Sequence, residues 1–196
     1  MRLGKDLINK PIYSIDEGKL LGKVQDLYFD STYEVILGLY IGSQGLVRRK
    51  AELIRAGDVA IYGADAVLVH SSGAVTDDGA LPAAKGWMRR DKLIGREVDS
   101  PAGTRLGIVG DVVIDAAGRV TAFALSRTFV EGPLAAKRVI NRDTVVDTGQ
   151  EDGGMTVDLV KLEAALINAE AVPEPVEEGI ADVSIVVEAD EDKPTE

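Results

Sequence analysis

The segment "GKLLGKVQDLYFD" (Gly18 to Asp30) returns in altered form as "GTRLGIVGDVVID" (Gly103 to Asp115), 85 positions later. Leu21, Gly22, Val24, Asp26 and Asp30 fall on Leu106, Gly107, Val109, Asp111 and Asp115. The correspondence extends on both sides. "LINKPIYS" (Leu7 to Ser14) answers "LIGREVDS" (Leu93 to Ser100) at an offset of 86, and "LIRAGDVAI" (Leu53 to Ile61) answers "VINRDTVV" (Val139 to Val146). Each copy is about seventy residues, near the lower limit for a self-sufficient core. Two copies are too few for a solenoid, so the chain reads as a tandem duplication.

Inside each copy the apolar runs are short, rich in Val, Ile, Leu and Tyr, and broken by turn residues roughly every eight to twelve positions, the signature of a β-barrel or sandwich. Strands are expected near Pro11 to Ser14, Gly22 to Phe29, Val35 to Ile41, Lys50 to Ile54, Val59 to Ile61 and Ala66 to Val69, and at the matching places of the second copy. The turns "DEG" (Asp16 to Gly18), "DSTYE" (Asp30 to Glu34) and "DAAGR" (Asp115 to Arg119) suit hairpins, because Asp bonds nearby backbone and Gly accepts a positive φ. Along the repeated strand the apolar set changes parity around Gln25 and Asp26: Val24 and Tyr28 share one face, Leu27 and Phe29 the other. A bulge there, or cover on both faces, would account for it. The third strand is also apolar on both faces, with Val35, Leu37, Leu39 and Ile41 against Ile36 and Tyr40, and Val120, Ala122 and Ala124 against Phe123 and Leu125 in copy two. The expectation is a monomer whose two barrels pack as a pseudo-twofold pair near these strands.

The pattern G-x-V-x-D followed by three apolar residues and Asp, carried by Gly22, Val24, Asp26 and Asp30 and again by Gly107, Val109, Asp111 and Asp115, resembles the PRC-barrel family. The resemblance covers residues 3–69 and 89–157. It implies two small six-stranded β-barrels of the kind found in the H subunit of purple bacterial photosynthetic reaction centres and in the C-terminal half of a ribosome maturation factor. Those two roles differ, and this chain shows neither the membrane anchor of the first nor the partner domain of the second. The organisation expected is barrel 1 over 1–69, a linker over 70–88, barrel 2 over 89–157, a helix over 158–172 and an acidic, largely disordered tail over 173–196. The helix rests on the 3-4-3 spacing of Leu159, Leu162, Leu166 and Ala169, with Asp158 as a cap and Pro173 and Pro175 as stops. "VSIVVE" within the tail could form a strand.

Charge separates these parts. Residues 1–69 hold nine basic and nine acidic residues, residues 89–157 ten of each, and residues 158–196 two basic and twelve acidic. Two neutral bodies therefore carry an acidic end, which disfavours direct nucleic-acid binding and favours a basic protein partner. No apolar run approaches the length of a membrane-spanning helix, and "MRLGKDLINK" does not read as a secretory signal. The chain has no cysteine, which removes disulfides and thiolate sites and makes a cytoplasmic location the default.

Candidate chemistry is sparse. His70 is the only histidine, and its neighbours Ser71 and Ser72 point away from it in an extended chain, so a catalytic pair is not expected. "GKLLGK" lacks the spacing and the Ser or Thr of a phosphate loop, and Asp190 to Asp192 lack the Gly and terminal Glu of a calcium loop. The recurring Asp26 and Asp111 read as hydrogen-bonded structural carboxylates at a strand bend. Trp87, Met88, Arg48, Arg49 and Lys50 are the candidate partner contacts, against packing on the neighbouring barrel for the first two and a solvated face for the others. No catalytic residue, metal site or cofactor is expected. The chain reads as a non-catalytic interaction, assembly or regulatory module. Small-ligand or metal sensing between the barrels, or a part in ribosome maturation or photosynthetic complex assembly, are the alternatives.

Overall fold

The structure is a computed structural model that describes residues 1–44, 50–149 and 153–170. Copy one supplies β1 (Arg2–Leu3), β2 (Pro11–Ser14), β3 (Leu20–Lys23), β4 (Asp26–Phe29), β5 (Ile36–Gln44), β6 (Lys50–Arg55), β7 (Val59–Tyr62) and β8 (Val67–Val69). Two short strands follow, β9 (Val75–Asp77) and β10 (Met88–Arg89). Copy two supplies β11 (Glu97–Asp99), β12 (Arg105–Ile114), β13 (Val120–Thr128), α1 (Pro133–Lys137), β14 (Val139–Asn141), β15 (Val145–Asp147) and β16 (Met155–Val157), and α2 (Leu159–Glu170) closes the described chain. The C-terminal tail, "VSIVVE" included, and Arg48 and Arg49 lie outside the described residues.

The fold is mainly β, as the turn spacing predicts, but the sheets do not close into barrels. Copy two forms one open path, β14-β13-β12-β11-β16-β15, and copy one divides into β10-β4-β5-β6-β9 and β3-β2-β8-β7. The division occurs at Val24 and Gln25. Val24 gives its N–H to the Lys10 carbonyl, whereas Gln25 gives its N–H to the Tyr40 carbonyl, so the strand expected over Gly22 to Phe29 becomes two strands serving two sheets. In copy two β12 stays continuous and absorbs the parity change as register shifts flanking Val109. Gly110 is required there, because a Cβ on it would lie 2.8 Å from the Ser126 nitrogen.

Residues 70–88, which composition reads as a linker, are built into copy one. Strand β9 pairs with β6 and β10 pairs with β4. Between them Leu81, Ala84 and Trp87 cover Tyr28, Tyr40 and Leu53. Both faces of β4 are thereby buried: Leu27 and Phe29 enter the main core and Tyr28 enters this smaller one. Apolar side chains from Leu7 to Leu166 join in a single main core that runs through both copies. No helix among the described residues is long and apolar enough to cross a membrane.

The two copies exchange their leading strands. Strand β1 pairs with β12, Arg2 opposite Ile114 and Leu3 opposite Val113. Strand β10 pairs with β4, Met88 opposite Phe29 and Arg89 opposite Tyr28. These are the same two pairings under the offsets of the sequence repeat, so each copy's sheet is extended by the other copy's leader. The turns meet in the same reciprocal way: Ile36 N–H donates to the Gly118 carbonyl (2.9 Å) and Val120 N–H to the Glu34 carbonyl (2.8 Å).

Candidate functional site

The exchanged leaders bring the recurring carboxylates to the boundary between copies. Asp26 and Asp111 are both 3% exposed, a burial that an ionised carboxylate tolerates only when its oxygens are engaged. Each accepts the N–H of the next residue, from Leu27 at 2.9 Å and from Val112 at 2.8 Å. Each also accepts an N–H from the leader paired with its strand: Lys5 donates to Asp111 at 3.0 Å and Asp91 donates to Asp26 at 3.3 Å. Lys5 and Asp91 are equivalent positions of the repeat.

The cations break the symmetry. Arg89 Nε reaches Asp26 at 3.0 Å and Arg90 Nε reaches Asp111 at 2.8 Å. Both arginines belong to the second leader; the equivalent positions of the first are Leu3 and Gly4. Gly4 makes room for this arrangement. A Cβ placed on it would lie 2.6 Å from Val112 Cγ2, 3.0 Å from Asp111 Oδ1 and 3.2 Å from Arg90 Cδ. One adjacent pair of arginines thus neutralises one carboxylate in each copy. Burial pushes the Asp26 carboxyl above its ordinary value, against the Leu27 N–H, and neighbouring Asp91 adds to the rise. Arg89 also lies over the Tyr40 ring at 4.4 Å.

Asp30 and Asp115 shape the turns at the boundary. Asp30 Oδ1 accepts N–H groups from Glu34 (2.7 Å) and Val35 (2.8 Å), and Asp115 Oδ1 those of Ala117 and Arg119 (both 2.9 Å). Burial would raise Asp30, but bonds from Thr32, Val35 and Glu34 outweigh it and hold its carboxyl below the ordinary value. Arg142 ties the copies further, donating to the Thr32 carbonyl and to Glu34 at 3.0 Å each.

Gly22 lies in β3 opposite Ile12 and Gly107 in β12 opposite Val98, while Val24, between β3 and β4, and Val109, in β12, are fully buried. Trp87 is half-buried, edge-on to Tyr28 at 5.8 Å, and Met88 lies opposite Phe29 in the exchanged strand. Lys50 pairs with Asp77 at 3.3 Å. His70 is exposed, and the Ser72 hydroxyl donates to Glu17. Among the described residues no cluster of three or more His, Asp or Glu side chains could hold a metal ion.

A surface feature that sequence reading misses emerges from the strand registers. Across β3-β2-β8-β7 the paired residues Leu20, Tyr13, Leu68 and Ile61 form one row on the outer face, with Leu20 and Ile61 about half exposed. The matching row of copy two, on β12, β11, β16 and β15, reads Arg105, Asp99, Thr156 and Asp147. Comparing the copies position by position could have found it.

No curated protein matches the chain. The family model for the PRC-barrel domain matches residues 1–75 and again residues 87–163. The chain belongs to the PRC-barrel family and carries two tandem copies of its domain.

Proposed function

We propose that this chain is a non-catalytic interaction module, an assembly or regulatory part that acts by binding another protein. One observation carries the reading. The same four sheet positions hold an apolar row in copy one and a charged or polar row in copy two. Copy two shows that the fold does not need apolar groups there, so the row Leu20-Tyr13-Leu68-Ile61 answers to something outside the fold. It crosses four strands, a span of about 14 Å at the usual strand spacing. The buried carboxylates support the same reading, because their oxygens are occupied by internal donors that hold the copies together. With a cysteine-free composition, we place the module in the cytoplasm.

The test writes copy two into copy one. A triple variant Tyr13→Asp, Leu20→Arg, Ile61→Asp should keep the thermal midpoint of the parent and lose the proteins that the parent captures from its native host. A variant that remains folded and captures the same proteins at the same yield would contradict the proposal.

A further inference from the structure

At the open end of copy two, α2 lies beside α1 and leaves a cleft of about 360 Å³. Its floor and walls are apolar, formed chiefly by Leu106, Val130, Leu134, Leu162, Leu166 and Ile167. The helix that makes it is fixed from below: Leu162 and Leu166 are buried, and Lys137 Nζ donates to the Leu166 carbonyl at 2.9 Å. Ile167, in contrast, lines the cleft and is 62% exposed. This volume is of the order that small binding pockets occupy, and it has room for one bulky side chain.

The two charged side chains that line the cleft are acidic, and the Lys137 ammonium nearby is bonded to the Leu166 carbonyl. Glu131 and Glu163 both line it, and neither forms an ion pair among the described residues. The chain that begins at this helix, residues 158–196, carries twelve acidic residues against two basic ones. An apolar hole bordered by carboxylates and followed by an acidic segment selects for an apolar anchor set among positive charges.

We propose that this cleft receives a basic segment of a partner protein, which inserts one large apolar side chain between α1 and α2 and places lysines or arginines against Glu131 and Glu163. The inference rests on the protein-interaction reading and gives the partner a chemistry. The apolar row of copy one is a separate surface.

Fluorescence anisotropy of the full chain with three labelled synthetic peptides tests it: a lysine-rich peptide with a central tryptophan, the same peptide with alanine for tryptophan, and a glutamate-rich peptide with the tryptophan. The first should bind, the second about ten-fold more weakly, and the third not at all. Ile167→Asp, at an exposed position, should keep the melting temperature and weaken the first peptide about ten-fold. Glu131→Lys with Glu163→Lys should weaken the first peptide and admit the third. Equal binding of the tryptophan and alanine peptides, or full affinity in the Ile167→Asp variant, would overturn the cleft and assign any binding to the acidic segment alone. So would a dimer of the parent chain, seen by sedimentation, that Ile167→Asp dissolves. A host protein that binds the cleft variants normally but is lost on Tyr13→Asp, Leu20→Arg, Ile61→Asp would overturn the cleft while leaving the proposed function standing.

Discussion

Arg89 and Arg90 are neighbours in the chain, yet their guanidinium groups serve opposite copies, Arg89 at Asp26 and Arg90 at Asp111. Arg89 closes β10 with an extended backbone and Arg90 opens the short 3-10 turn that follows it, so the two guanidinium groups part toward the two copies. The boundary between copies is therefore clamped from one dipeptide.

The two clamps differ in burial, and their loss should differ too. The Arg90 side chain is 15% exposed and that of Arg89 is 35% exposed. Arg90→Ala leaves Asp111 buried without its cation and should cost about 3 kcal/mol, the scale of a broken buried pair. Arg89→Ala should cost about 1 kcal/mol, because water can take the place of the more exposed guanidinium. Urea unfolding of the two variants measures both; equal costs would contradict the asymmetry.

Asp26 should make part of the stability depend on pH in an unusual direction. Burial raises its native pKa above the ordinary 3.8, so the native state holds this proton to higher pH than the unfolded chain. The stability from this group is fully present below 3.8 and is lost as pH rises through the native value. Asp26→Asn cannot titrate. The variant should gain on the parent as pH rises across that window, and a parent that gains on the variant instead would reverse the assignment.

Trp87 should contribute as a cover for β4 and β5. With Tyr28, Tyr40 and Leu53 beneath it, Trp87→Ala should cost about 2 kcal/mol, less than a fully buried tryptophan because one side stays wet. Gly38 lies under the same ring: a Cβ there would come within 2.7 Å of the Ile54 carbonyl oxygen and 2.9 Å of Trp87. Gly38→Ala should therefore destabilise strongly, whereas Gly57→Ala, facing open space, should change stability by less than about 0.5 kcal/mol. Thermal melts that ranked the two glycine variants equally would argue against the packed cover.

Much of the strand pattern was legible because it depends on local chemistry. Alternating apolar residues mark β2 and β16, and Asp30 and Asp115 mark turns because an Asp side chain captures the N–H groups that follow it. The parity change at Gln25 and Asp26 was visible too, although the residues did not say that one copy would break its strand and the other bulge. The exchange of leaders was not legible. Strands of two residues, Arg2–Leu3 and Met88–Arg89, have no period, and their partners lie in the other copy. The apolar row was hidden for a related reason: Tyr13, Leu20, Ile61 and Leu68 become neighbours only through strand registers. The cleft beside α2 needs the packing of two helices separated in the chain by the strands β14, β15 and β16.

The central claim is that two homologous halves form one body through exchanged strands and a common core, and scanning calorimetry of the full chain tests it most directly. The account predicts a single transition whose calorimetric and van't Hoff enthalpies agree. Two resolved transitions, or a calorimetric enthalpy about twice the van't Hoff value, would show halves that unfold independently and would contradict it.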